Sequence, residues 1–154
     1  MPELTVVCYI IKDDKVLFIV KNSGLNKDKW LGIGGHMQEG ESPYETVLRE
    51  ITEETGLKAS SIKELKQRGF LTFVNTKSSD EHIHVFTAHY SGYTASVPVS
   101  CNEGRLRWIK QKDILNLPLW EGDKEMFRLL FETEDFFSLK LSYDGDKLKD
   151  IVHY

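Results

Sequence analysis

The 154-residue sequence predicts an α/β sandwich built on a mixed β-sheet. Three observations carry that expectation. Apolar runs of strand length recur along the chain, turn-forming residues separate them, and two segments carry helical spacing. Leu4 to Ile11 and Val16 to Val20 flank an Asp13-Asp14 turn and read as a first hairpin. A polar loop, Asn22 to Lys29, leads into Trp30-Leu31-Gly32-Ile33-Gly34-Gly35. The first helix starts at Ser42, where a capping serine, Pro43 at the first helical position and Glu45 three residues on complete a capping box. Gly56 ends it by supplying a left-handed residue. Tyr44, Leu48, Ile51 and Thr55 follow a 4-3-4 spacing, so that stripe is expected to pack on the core.

Two further strands are expected from about Glu64 to Val74 and from His82 to Tyr90, joined by a turn over Asn75 to Asp80. After a loop from Ser91 to Asn102 comes a short strand at Leu106 to Ile109, then a helical turn at Asp113 to Asn116. Met126, Leu129 and Leu130 set the period of a second helix over Asp123 to Phe131, and Phe137 to Tyr143 reads as the last strand. No internal repeat, low-complexity tract or linker divides the chain, so residues 1–154 are expected to form a single domain of ordinary size.

The first helix also carries an electrostatic conflict. At about 100° per residue, Glu50, Glu53 and Glu54 fall within roughly a third of its circumference. They lie at its C-terminal end, where the helix dipole disfavours anions, and like charges at these spacings repel. A solvated face normally intersperses lysines; here Arg49 is the lone cation of the stretch. A divalent cation resolves the conflict, because clustered carboxylate oxygens suit Mg²⁺ or Mn²⁺.

Gly35, Glu41, Arg49-Glu50-Ile51, Glu53-Glu54 and Gly56-Leu57, at their spacings, form a pattern that resembles the Nudix box at every defined position. The resemblance implies an α/β/α sandwich with a mixed sheet and metal-dependent hydrolysis of nucleoside diphosphate-linked compounds. It implies that Glu50, Glu53 and Glu54 hold the metal, Mg²⁺ with Mn²⁺ as an alternative, and that the Gly34 carbonyl adds a ligand. Glu41 would pair with Arg49 and fix the loop to the helix.

Within that family the chain resembles the MutT-like hydrolases of oxidised purine nucleotides over most of its length, including the run Tyr143 to Leu148. There a glutamate five residues before a strand tryptophan reaches the metals. Glu103, five residues before Trp108, takes that place here as metal ligand or general base. The base role is left open between Glu53 and Glu103. Pro118 to Asp123 resembles the purine-receiving segment, so Trp120 would stack on a base and Asp123 would hydrogen-bond its edge. Lys21 matches a nucleotide-side lysine, and Gly35 and His36 would face the phosphates. Three positions depart from the human-type pattern: Leu31 replaces an asparagine, Gly122 an aspartate and His36 a lysine.

The expected activity is therefore cleavage of a purine nucleoside triphosphate such as 8-oxo-dGTP to the monophosphate and pyrophosphate. Alternatives are another Nudix substrate, such as dihydroneopterin triphosphate, a sugar nucleotide or a dinucleoside polyphosphate, and a non-catalytic nucleotide sensor. A net charge of -4 argues against a nucleic-acid polymer as partner. No run has the length of a membrane span, Met1-Pro2-Glu3 opens no basic, apolar leader, and two cysteines build no disulfide framework. A soluble cytoplasmic protein is the expectation, and no feature specifies an oligomeric state. His82 and His84 share one strand face while His89 takes the other, which fits strand alternation better than a zinc site.

Overall fold

Residues 1–154 are described by a computed structural model, in which one strand organises the rest. That strand is β1 (Glu3–Lys12), and its two edges meet three partners. Along one edge it runs parallel to β6 (Glu81–Tyr90), from Glu3 opposite Glu81 to Ile11 opposite His89. Its other edge is divided. Thr5 to Cys8 pair antiparallel with β4 (Ile33–His36), whereas Ile10 to Lys12 pair with β2 (Lys15–Lys21) across the Asp13-Asp14 hairpin. Asp13 takes a positive φ of 53° to make that tight turn. The sheet opens where the two partners diverge, and β3 (Trp30–Leu31) pairs with β2 beside the gap.

Further strands extend the sheet on both sides. β5 (Ile62–Asn75) pairs with β6 and, in parallel, with β9 (Phe137–Asp144). β8 (Gly104–Lys110) lies against β2 and carries the two-residue β7 (Ser100–Cys101). All ten strands belong to one mixed sheet. One of them, β10 (Lys147–His153), falls in a stretch for which no strand was expected; it pairs antiparallel with β9 at the sheet edge. Its sequence, Lys-Leu-Lys-Asp-Ile-Val-His, buries none of its residues fully, so it presents no apolar face to announce it.

The two helices cover opposite faces. Helix α1 (Pro43–Thr55) begins with the capping box of Ser42 and Glu45 and ends at Gly56, φ 74°, as the sequence predicts. It packs Val47 and Ile51 into a core cluster with Val6, Cys8, Ile10, Leu17 and Ile19. Helix α2 (Asp123–Glu132) packs Met126, Phe127 and Leu130 into a second cluster with Tyr9, Val16, Phe18 and Leu139. Alternate residues of β1 and β2 thus feed different clusters, the period-two signature of a sheet buried on both sides. The architecture is the expected α/β/α sandwich.

The expected packing stripe of α1 holds at Leu48, Ile51 and Thr55, and the buried face extends beyond it. Tyr44 is half exposed and only leans its ring edge on Phe86, 4.9 Å between centroids. The buried face centres instead on Val47 and Ile51 and takes in Glu50 and Glu54. It is rotated by roughly 60° towards the carboxylates, so the acidic stripe is partly interior. Helix α2 has no basic residue in its last turn, and Arg68 of β5 serves instead. Its guanidinium donates to the carbonyls of Leu130 (3.0 Å) and Thr133 (2.7 Å), closing the helix end. No helix is long and apolar enough to cross a membrane.

Candidate active site

A cavity of about 550 Å³ opens where β4 and β2 diverge from β1. Its lining runs from Glu50, Glu53, Glu103 and Lys21 at one end to Phe73, Trp120 and Asp123 at the other. Two glycines make the acidic end possible. A Cβ on Gly34 would stand 2.0 Å from the Val6 carbonyl oxygen, and one on Gly35 would stand 2.6 Å from Glu50 Oε1. Their bare backbones let β4 pass close to β1 on one side and to the α1 carboxylates on the other.

Arg49 ties this end together. Its Nε and Nη2 donate to Glu41 at 2.7 and 2.9 Å, its Nη1 reaches Glu50 at 2.9 Å and Glu53 at 3.3 Å, and Nη2 also meets the His36 carbonyl at 3.0 Å. Loop, strand and helix are thereby fastened by one guanidinium. Hydrogen bonds from Arg49 hold the Glu41 carboxyl down at about 2. Burial raises Glu50 above the usual carboxylate range, and Arg49 offsets part of that shift. His36 itself turns outward, with Nε2 2.9 Å from Glu3 Oε2 at the rim of the cavity.

Glu54 is the unsatisfied member. It is 5% exposed, and neither of its oxygens receives a hydrogen bond. Burial pushes it up to about 9, the neighbouring Glu103 pushes in the same direction, and Lys21 only partly opposes them. Lys21 Nζ stands 2.6 Å from Glu103 Oε2 and 3.9 Å from Glu54 Oε1. Contact with Glu54, then with Lys21, lowers Glu103. Glu103 reaches this place from the tip of the β7–β8 hairpin, where its carbonyl also accepts from the Asn22 amide at 3.0 Å.

Two buried oxygens without a donor, beside three further carboxylates, fit a hard divalent cation bound through oxygen. No three acidic or imidazole groups converge on one point. Arg49 pairs with Glu50 and Glu53, and Lys21 pairs with Glu103.

The far end is aromatic. Trp120 is only 4% exposed, belonging to the core and to the cavity wall at once. Phe73 and Tyr143 meet it edge-on at 5.3 and 5.0 Å, and Lys29 Nζ lies 4.9 Å from its ring centroid. Its Nε1 donates to Asn26 Oδ1 at 2.7 Å. Neither Asn26 nor Lys29 is singled out by the sequence, where both read as parts of a polar loop. Asn26 lies 94 residues from its partner. A side chain at Gly122 would press on its neighbours, because a Cβ would stand 2.8 Å from the Tyr143 hydroxyl and 2.9 Å from a Leu141 methyl. That hydroxyl accepts from the Gly122 amide at 2.7 Å.

Asp123 is buried, and burial pushes its carboxyl up to about 7, with Lys29 acting weakly against the shift. The native state keeps a proton that the unfolded chain releases between roughly pH 4 and 7, so this group makes stability fall as pH rises through that window. Asp123→Asn should therefore raise the melting temperature at pH 8 by several degrees, for about 2–4 kcal/mol of relieved penalty, and the gain should shrink to about 1 kcal/mol near pH 4.5. Thermal unfolding of both proteins at the two pH values checks this; an equal gap at both would show that Asp123 is not buried as a neutral acid.

Fold and cavity together define an enzyme of the α/β/α sandwich type, with acidic groups and an aromatic wall in one cleft. The NUDIX domain model matches residues 1–130, and the chain belongs to the Nudix family of hydrolases. It is 31% identical over 139 residues to the uncharacterized Nudix hydrolase YvcI of Bacillus subtilis, covering 88% of this chain and 84% of that protein. It is 30% identical over 128 residues to the oxidized purine nucleoside triphosphate hydrolase of Mus musculus, covering 82% and 78%. Among solved structures it resembles a MutT protein of Bacillus halodurans, with a TM-score of 0.80, 27% identity and coverage of 98% and 97%.

Proposed function

We propose that the protein hydrolyses purine nucleoside triphosphates, oxidised purines such as 8-oxo-dGTP among them, between the α and β phosphates, releasing the monophosphate and pyrophosphate. The observation that carries this is the single cavity with carboxylates at one end and Trp120 with Asp123 at the other. A triphosphate and a flat, hydrogen-bonding base need such opposed ends. The likeness to the mouse oxidized purine nucleoside triphosphate hydrolase supports the same substrate class.

Glu50, Glu53, Glu54 and Glu103, with the Gly34 carbonyl, would hold Mg²⁺ or Mn²⁺. Once bound, the ion neutralises phosphate oxygens and lowers the pKa of water. The chain's own groups do the rest. Glu53, exposed and held only by a 3.3 Å contact to Arg49, is free to accept the proton of the attacking water. Glu103 is a weaker acceptor while Lys21 sits 2.6 Å away. Lys21, released from Glu103, is placed to meet the triphosphate, and Arg49 keeps Glu41, the loop and α1 in register. Gly35 leaves the space in which Glu50 lies. His36, at the cavity rim, would meet the phosphates by leaving its partner Glu3. Trp120 and Asp123 receive the base.

The test is Mg²⁺-dependent release of pyrophosphate from 8-oxo-dGTP, dGTP, ATP and a sugar nucleotide, compared by kcat/KM. The expected order places 8-oxo-dGTP first. A sugar nucleotide ahead of every triphosphate would move the substrate class, and binding without release from any member would make the protein a sensor.

A further inference from the structure

Trp120 and Asp123 leave the base end without a fixed hydrogen-bond donor. With its carboxyl pushed up to about 7, Asp123 is partly protonated near neutrality and can either donate or accept. It therefore accepts a guanine-type edge, which offers donors beside its C6 carbonyl, and an adenine-type edge, which offers an acceptor. Leu31 lines the cavity but carries no polar atom, and Gly122 has no side chain.

Asn26 stands in this gap. Its Oδ1 accepts from Trp120 Nε1 at 2.7 Å, and an indole N–H can only donate, so the orientation of the amide is settled by its partner. The Nδ2 group is left without a partner in the protein, on a half-buried side chain that lines the cavity beside Trp120. The loop that carries it is braced from several directions. Lys27 and Lys29 amides bond back to Gly24 and Asn26, the Asp28 amide bonds to Lys21, and Trp30 bonds to Pro118 at 3.1 Å. Lys29 rests over the same indole and lies 3.9 Å from Asp146. A donor held this firmly selects rather than adapts.

The geometry points to Asn26 as the residue that sets base specificity, its Nδ2 donating to the C6 carbonyl of a 6-oxopurine and rejecting the 6-amino group of adenine-type bases. A guanine edge presents O6 as an acceptor where adenine presents an N–H₂ donor, so adenine would meet two donors face to face. The inference rests on the reading of the protein as a purine nucleoside triphosphatase and names which purines it takes.

Asn26→Asp isolates the effect, because an aspartate oxygen still accepts from Trp120 Nε1 while the donor is lost. The measurement is pyrophosphate release with Mg²⁺ from dGTP and 8-oxo-dGTP against dATP and 8-oxo-dATP, for the parent and the variant. The added negative charge repels all four triphosphates alike, so the ratio of kcat/KM between the 6-oxo and 6-amino pairs is the readout. That ratio should favour 6-oxopurines in the parent and fall by about 10- to 100-fold in the variant. A ratio unchanged within about threefold overturns the proposal. So does a uniform loss across all four accompanied by a lower Tm, which would confine Asn26 to holding Trp120. No release from any nucleotide by the parent would remove the nucleoside triphosphatase reading and this inference with it.

Discussion

Glu53→Gln should lower kcat by about 10²- to 10⁴-fold and leave the melting temperature nearly unchanged. Glu53 is an exposed residue of α1, and its one polar contact is the 3.3 Å approach of Arg49. The amide keeps the shape and a similar contact to Arg49 but cannot take a proton from water. Its neighbours are tied differently. Glu50 is partly buried against Arg49, Glu54 is buried without donors, and Glu103 is paired to Lys21. Changing any of those would disturb packing together with charge, so Glu53 separates chemistry from stability best. Steady-state kinetics at saturating Mg²⁺ with a thermal melt reads both quantities, and near-normal kcat would remove the box from the mechanism.

The adjacent glycines should fail in opposite ways. Gly34→Ala puts a methyl 2.0 Å from the Val6 carbonyl oxygen and within 2.9 Å of Val7 Cα, against backbone that is locked in the β1–β4 ladder. No rotamer relieves that clash, so a loss of about 3–5 kcal/mol of stability is expected, enough to unfold a marginal domain. In Gly35→Ala the nearest atoms to the methyl all belong to the carboxyl of Glu50, the far end of a flexible side chain. That variant should remain folded, with kcat/KM lower by about 10²-fold because Glu50 is displaced. Urea denaturation of both variants, with activity of the folded one, decides the matter. A stable Gly34→Ala protein would mean that β4 is free to move away from β1.

Local signals made much of this legible. The capping box, Pro43 and Gly56 marked α1 to within a residue, because each acts through neighbours three or four positions away. Lys21, Glu103 and Asp123 were placed by resemblance and do line the cavity. The stripe of α1 packs at Leu48, Ile51 and Thr55 but extends further, because hydrophobic spacing cannot foresee that Glu50 and Glu54 are interior. Their burial depends on the opening beside β1, a property of strands far along the chain. β10 escaped because an edge strand needs no apolar face, and Asn26 because its meaning comes wholly from Trp120. The gap in the reading is therefore physical: contacts of long range leave no local pattern.

The same distances bear on the order in which the protein comes into being. The acidic end is closed by Lys21 meeting Glu103, 82 residues apart, and the aromatic end by Asn26 meeting Trp120, 94 apart. Contacts of that span form late, after the local turns and helices have paid their loop-closure entropy. A nascent chain that has emerged as far as residue 100 carries every residue of the box and the complete helix α1. It still lacks Glu103, Trp120 and Asp123, and the loop over residues 22–29 has nothing to rest on. Such an intermediate would expose the unpaired carboxylates and Lys21 to solvent without a cleft to hold a nucleotide. Neither end of the cleft can close until the residues that complete it, Glu103 at one end and Trp120 at the other, have been made.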